Sequence, residues 1–361
     1  MLKPSSEFKI GNKTIGFDKP TFFIADIAAN HDGDISRAKE LIYQAAEAGA
    51  DAAKFQHFQA KTIVSQGGFE ALGGKLSHQS KWEKSIYEVY KDASVSLEWT
   101  NELISACKEV QIPFFTTPYS LEVIQYIDEY VPAYKIGSGD INWTKIIKTV
   151  AQKNKPYIIA SGASTLIEVT NAVRAGLEFN PNLCLMQCNT NYTASLENFK
   201  YINLNVLKTY SSMFKGLILG LSDHTPGHST VLGAISLGAR MIEKHFTDDN
   251  DRDGPDHPFS MNPKSWKEMV MRSRELELAL GSGIKEVELN EKETVIVQRR
   301  SIFSNKNIKK GDIIKEEDLK IVRPAPDNSY EPDQMDTIIG MKAAKDIMAD
   351  KCIVLGELTI D

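Results

Sequence analysis

The sequence predicts an α/β fold, a (β/α)8 TIM barrel followed by a small β-rich C-terminal domain. Three observations carry this. Eight short apolar or β-branched runs alternate with segments of helical periodicity, a pattern that implies parallel strands joined by crossover helices. No G-x-G-x-x-G follows the first run, which disfavours the main rival, an open doubly wound sheet. After residue 281 the helical pattern stops and short strands with Lys-Gly-Asp and Asp-Lys turns take over.

The strand candidates, in order, are TFFIAD (21–26), DAAKFQ (51–56), PFFTT (113–117), AYKIG (133–137), PYIIA (156–160), LCLMQC (183–188), LILGL (217–221) and RMIEKH (240–245). Helical spacing marks the intervening segments; ISRAKELIYQAAEAG (35–49), for example, ends on a glycine stop. Residues 60–97 are too long for a plain connection and read as a long loop near the site. The expected boundaries are a barrel over 1–281, a polar linker over 282–295 and a small domain over 296–361.

Several function classes are excluded early. A formal net charge of −6 argues against a nucleic-acid binder, so any anionic ligand must be held by local Lys and Arg. The four cysteines form no C-x-x-C pair, so no zinc ribbon or disulfide framework is indicated. The opening residues lack an apolar core of signal-peptide length and no run is long enough to span a membrane, so a cytoplasmic protein without membrane partners is expected.

The C-terminal ends of barrel strands form the active face. In chain order those ends supply Asp26; Lys54 and Gln56; Thr116 and Thr117; Lys135, then Ser138 and Asp140; Ser161; Thr190 and Tyr192; Ser222 and His224; and His245, with Asp256 beyond it. A lysine inside an apolar run such as AYKIG is costly unless it meets an anion or a carboxylate. Lys54 and Lys135, with nearby hydroxyls and amides, therefore suit a phosphate or carboxylate; the alternative is a pair of structural ion pairs inside the barrel. His224 and His245 end adjacent strands over one mouth. Two histidines with open positions suit a catalytic divalent cation, or else hydrogen bonding within the core.

The run DNDRDG (249–254) fits the opening of a calcium loop. Its twelfth position, which should be a bidentate Glu, is Ser260, and the segment leading into it reads as a strand rather than a helix. Calcium is set aside on that ground.

Taken together, IADIAANHDGD, GADAAKFQHFQA, YKIGSGD, GLSDHTPG, IEKHFT, GPDH and RRSIF…IKKGDIIKEEDL…VRP resemble the bacterial sialic acid (nonulosonate) synthases over nearly the whole chain. The resemblance implies that the C-terminal segment is an antifreeze-like (SAF) domain. It implies condensation of phosphoenolpyruvate with an N-acetylmannosamine-type aldehyde sugar, with C–O cleavage and phosphate release, for cell-surface polysaccharide synthesis. On that reading Lys54, Thr116 or Thr117, Lys135, Ser138 and Ser222 hold phosphoenolpyruvate. Gln56, Tyr192 and Asp256 contact the sugar, with Ser161 and Thr190 as further substrate contacts. His224 and His245 bind Mn²⁺, with Mg²⁺ or Co²⁺ as alternatives, and Asp26 and Asp140 join them as catalytic candidates. Arg323 matches an arginine that reaches the sugar from the partner subunit of a domain-swapped homodimer. The chain departs from the family pattern at Asp26 and Asp140, where Glu is usual, and at ASGAS and RPA, which leaves the choice of sugar open. The rival readings are an octulosonate- or heptulosonate-phosphate type of synthase, and a carbohydrate-binding protein.

Overall fold

The structure, a computed structural model, describes residues 2–73 and 75–360. It divides into two compact units between Gly281 and Ser282.

The first unit is a closed barrel of eight parallel strands: Phe22–Asp26, Ala52–His57, Phe114–Pro118, Tyr134–Ile136, Tyr157–Ala160, Leu183–Cys188, Ile218–Asp223 and Ala239–His245. Each pairs with the next, and the eighth closes on the first, with His245 opposite Asp26. These strands read as nearly unbroken apolar runs because helices cover one face and the barrel core the other. An N-terminal hairpin, Glu7–Ile10 with Lys13–Gly16, buries Phe8, Ile10 and Ile15 in the same core.

Local signals set the helices. Asp34 caps Ile35–Glu47 by accepting from the amides of Ser36 and Arg37. Thr165 and Glu168 form a capping box on Leu166–Leu177. The stretch 60–97, expected as a long loop, is instead built of short helices, including Ala60–Ile63, Gln66–Ala71 and Ile86–Asp92. Ser85 caps the last of these through a capping box with Glu88, a spacing visible in the sequence.

One polar cluster lies on the outer, helix-facing side of the barrel. Lys244 and Asp223 are register partners on the eighth and seventh strands, and both are buried. Lys244 Nζ donates to Asp223 and to the Thr225 carbonyl, while Thr225 and Thr230 hydroxyls donate to the same carboxylate at 2.8 Å. Every charge there is met, as burial requires.

The second unit contains two small antiparallel sheets, Ser301–Ser304 with Leu319–Val322 and Lys342–Ala343 with Leu358–Thr359. Its own core includes Ile302, Ile314, Ile338 and Ile353. The stretch 282–295 runs into a short exposed helix, Lys292–Gln298. No helix among the described residues is long and apolar enough to cross a membrane.

Candidate active site

At the C-terminal ends of the strands lies a cavity of about 350 Å³. Asp26, Lys54, Gln56, Thr117, Lys135, Ser138, Asp140, Tyr192, Ser222, His224, His245 and Asp256 all line it. Alternation along a strand decides which side chains reach the bore. Lys54 and Gln56 share one parity, and so do Ser222 and His224.

Three of the expected barrel residues fall outside the cavity lining. Thr116 turns to the outer side, where its hydroxyl donates to the Phe55 carbonyl at 2.9 Å and meets His57 Nδ1 at 2.8 Å. Ser161 donates to the Met186 carbonyl at 2.8 Å and accepts from the Tyr210 hydroxyl at 3.0 Å. Thr190 packs its methyl group against the Gly162 backbone. Arg323 belongs to the second unit, where it is exposed and its Nε donates to the Gln298 carbonyl at 2.6 Å.

The charged centre is two lysines and two carboxylates. Lys54 is 1 % exposed and Lys135 2 %, so both ammonium groups depend on partners inside the barrel. Lys54 Nζ donates to Asp26 at 2.5 Å, and Lys135 Nζ to Glu243 at 2.5 Å. Lys54 also lies 3.8 Å from the same Glu243 oxygen, so the two cations converge on one carboxylate. Ser222 Oγ stands 3.3 Å from that oxygen, and Glu243 Oε2 has no hydrogen-bond partner among the described residues. Both of the ion pairs weighed from the sequence therefore exist, and both face the cavity. Burial pushes the Lys54 ammonium toward release of its proton, but Asp26 and Glu243 outweigh that and hold it charged. Burial likewise pushes Asp26 up, and Lys54 and His245 bring it below the usual carboxylate range.

Sequence reasoning missed Glu243. The signal was available: in RMIEKH it shares the parity of His245 and must therefore point into the bore. His78, Trp82 and Tyr90, from the 60–97 stretch, and Tyr119 also line the cavity.

Among the described residues Asp140 has no ion-pair partner. Its Oδ2 is buried without a hydrogen bond, and burial pushes the carboxyl up to about 6. Ser138 Oγ accepts from the Gly162 amide at 3.0 Å, which leaves its own proton free to donate. A Cβ on Gly162 would come within 2.6 Å of Thr190 Cγ2 and 2.8 Å of Ser138 Oγ, so this wall of the cavity needs a glycine.

The two histidine rings stand 5.3 Å apart, with Tyr192 4.2 Å from His224 and Phe259 4.9 Å from His245. His224 Nδ1 must carry a proton, because it meets the Asn189 carbonyl at 2.9 Å; Nε2 keeps its lone pair. Burial lowers the His224 pKa to about 4, so the ring is neutral. His245 Nδ1 is buried with no hydrogen-bond partner, 3.6 Å from Asp256. Burial pushes this ring toward neutrality, but Asp26 and Asp256 outweigh it and draw it toward the charged form. Among the described residues no three His, Cys, Asp or Glu side chains are gathered as a complete metal-binding group. The residues fit a cation held by two imidazoles, with its other positions left to water or substrate.

The side chains of DNDRDG bond to nearby backbone and, through Arg252, to Asp32, and the residue just before the run meets an arginine. Asp248 takes both guanidinium arms of Arg37, at 2.7 and 2.5 Å. Asp249 accepts from the Asp251 amide at 2.9 Å, and Asn250 donates to the His257 and Ser260 carbonyls at 2.9 and 2.7 Å.

Comparison with known proteins adds independent findings. Residues 41–285 match the NeuB family, and residues 299–358 match the SAF domain. The chain is 34 % identical over 342 residues to the N,N'-diacetyllegionaminic acid synthase of Campylobacter jejuni, covering 93 % of this chain and 99 % of that one. It is 34 % identical to the spore coat polysaccharide biosynthesis protein SpsE of Bacillus subtilis, covering 98 % and 97 %. Among solved structures, the N-acetylneuraminic acid synthetase of Leptospira borgpetersenii superposes with a TM-score of 0.70 at 28 % identity, covering 82 % of this chain and 97 % of that one.

Proposed function

The chain belongs to the NeuB family and carries a SAF domain, and from that premise we propose that it is a nonulosonic acid synthase condensing phosphoenolpyruvate with an N-acetylmannosamine-type aldehyde sugar. The observation that carries this reading is the convergence of Lys54 and Lys135 on Glu243 inside one cavity. Phosphoenolpyruvate brings a phosphate and a carboxylate. Two buried ammonium groups, with Ser138, Ser222 and Thr117 hydroxyls beside them, can take over both anions.

Phosphoenolpyruvate C3 forms the new C–C bond to the sugar aldehyde carbon, whose oxygen takes up a proton to become a hydroxyl. Water adds to the electron-deficient C2. The tetrahedral centre loses the hydroxyl proton and expels phosphate with its bridging oxygen, leaving a ketone. Asp140, with a pKa raised to about 6 by burial, is suited to move a proton near neutral pH. Asp26 orients Lys54 and Gln56, the latter donating to it at 2.9 Å. Tyr192 and Asp256, which also line the cavity, contact the sugar on this reading. His224 and His245 would hold a divalent cation, Mn²⁺ with Mg²⁺ or Co²⁺ as alternatives, which when bound supplies Lewis-acid polarisation of a carbonyl oxygen.

We extend the reading to assembly as a homodimer in which the partner subunit's Arg323 reaches the sugar. The test of the function is a panel of 2-acetamido aldehyde sugars, each mixed with phosphoenolpyruvate and the divalent cation. Phosphate release matched by a nonulosonic acid is expected for at least one sugar. Absence of phosphate release across the panel, with the cation present, would remove the reading.

A further inference from the structure

The loop after the first barrel strand, 27–34, is stitched to the loop after the eighth, 246–262, by a polar network that no catalytic step uses. Asn30 Nδ2 donates to the Phe246 carbonyl at 2.8 Å and to Ser260 Oγ at 2.9 Å. The hub is Asp32. Its Oδ1 lies 2.9 Å from His257 Nε2. Its Oδ2 accepts from Arg252 Nε and Nη2 at 3.1 and 2.9 Å, and Arg37 Nε stands 3.0 Å away. Arg37 in turn grips Asp248 with both arms and donates to the Asn30 carbonyl at 2.8 Å. His257 is wholly buried and its Nδ1 meets Thr247 Oγ1 at 2.7 Å, so the ring is fixed at both nitrogens. The backbone closes tightly over it: a Cβ on Gly254 would lie 2.6 Å from His257 Cδ2.

What this network holds in place is Asp256, between Gly254 and His257 in the chain. Its Oδ2 accepts from the Ala29 amide at 3.2 Å and lies 3.6 Å from His245 Nδ1, and its carbonyl accepts from Ser260 Oγ at 2.6 Å. The Asp256 carboxylate thus takes a hydrogen bond from the 27–34 loop, while its backbone carbonyl is held within the 246–262 loop, and these are the two loops that Asp32 joins. We propose that Asp32 is a positioning residue: it locks the 246–262 loop to the 27–34 loop so that the Asp256 carboxylate is held at the sugar side of the cavity. The proposal rests on the reading of Asp256 as a sugar contact. It also gives Arg252 of the DNDRDG segment a role, since its side chain bonds to Asp32 across the two loops. A carboxylate hydrogen-bonded to His257 and Arg252 and ion-paired with Arg37 ties together three separate points of the chain, which one neutral hydrogen bond could not do.

The test uses the full chain with Asp32→Ala, Asp32→Asn and Asp256→Ala. Asp32→Ala is expected to raise the KM for the sugar about tenfold while moving the KM for phosphoenolpyruvate by less than about twofold. Asp32→Asn, which keeps one acceptor for His257, should fall between it and the native chain. In the Asp256→Ala background, adding Asp32→Ala should change the sugar KM by less than about twofold, because its target is already gone. Equal rises in both KM values, or a full additional effect on Asp256→Ala, would overturn the positioning role. Should Asp32→Ala fail to fold, Asp32→Asn and Arg252→Ala carry the same comparison. A second arm does not depend on turnover: hydrogen exchange across 246–262 should quicken in the Asp32 variants while the barrel strands stay protected. Unchanged exchange in that loop overturns the latch, whereas a native chain inactive on every sugar overturns the function reading and leaves the exchange result to decide the latch.

Discussion

Lys135, on the fourth barrel strand, donates to Glu243, on the eighth, at 2.5 Å across the bore of the barrel. The two strands stand on opposite sides of an eight-stranded ring, so this contact exists only once the barrel has closed. Both side chains line the cavity.

Lys135→Met is therefore expected to raise the KM for phosphoenolpyruvate about 10- to 100-fold, the worth of a charge-assisted contact. The KM for the sugar should move far less. The same change leaves Glu243 with Ser222 at 3.3 Å and the more distant cation of Lys54 at 3.8 Å. The folded chain should lose stability toward the lower end of about 3–5 kcal/mol, the cost of breaking a buried pair. Steady-state kinetics with each substrate varied, and a denaturant melt, measure the two effects. Equal shifts in both KM values would make Lys135 a purely structural residue.

Much of the fold was legible because a strand buried on both faces leaves a continuous apolar run. The predicted run 183–188 is the observed strand Leu183–Cys188, and 240–245 differs from Ala239–His245 by one residue. The site was legible wherever strand parity was respected. Thr116 and Thr117 look alike in sequence, yet only Thr117 lines the cavity, because successive side chains point to opposite faces. Glu243 went unread because a charge between Ile242 and Lys244 has no partner visible in one dimension; Lys135 lies 108 residues away. The short helices of 60–97 were hidden for another reason. Glycines such as Gly67 and Gly68, inside Gln66–Ala71, argue against helix, yet the helix forms there with Ser65 as its cap.

Chelation should abolish turnover, and Mn²⁺, Mg²⁺ or Co²⁺ should restore it, whereas Ca²⁺ alone should not match Mn²⁺, since the site offers imidazole nitrogen. His245→Ala should lose metal binding and turnover together, read by metal content after dialysis and by phosphate release. Full activity in excess chelator would remove the cation from the account.

Asp140 should leave a signature in pH. Its carboxyl is raised from 3.8 to about 6 by burial, so the folded chain favours the protonated form. The stability this group contributes is complete below about pH 4 and is lost as pH rises through about 6. Asp140→Asn removes that dependence. The melting temperature of the variant relative to the native chain should climb between about pH 4 and pH 6 and then level off. A difference that stays constant across that window would show that Asp140 is not perturbed.

The proposed exchange of C-terminal domains has its own test. Arg323→Ala and His245→Ala chains, each inactive alone, are unfolded together and refolded as mixed dimers. One barrel in each mixed dimer then pairs an intact His245 with the partner subunit's intact Arg323, so a fraction of native activity should return. No recovery, with mixed dimers shown to be present, would rule out the exchange.

The central claim is that phosphoenolpyruvate is consumed by C–O cleavage after its C3 has attacked the sugar aldehyde. Turnover of phosphoenolpyruvate carrying ¹⁸O at the bridging position tests it most directly, read by mass spectrometry of both products. The account predicts that the label leaves entirely in inorganic phosphate, with the ketone oxygen of the nonulosonic acid drawn from water. Label retained at C2 of the sugar acid, with phosphate unlabelled, would mean P–O cleavage and would contradict it.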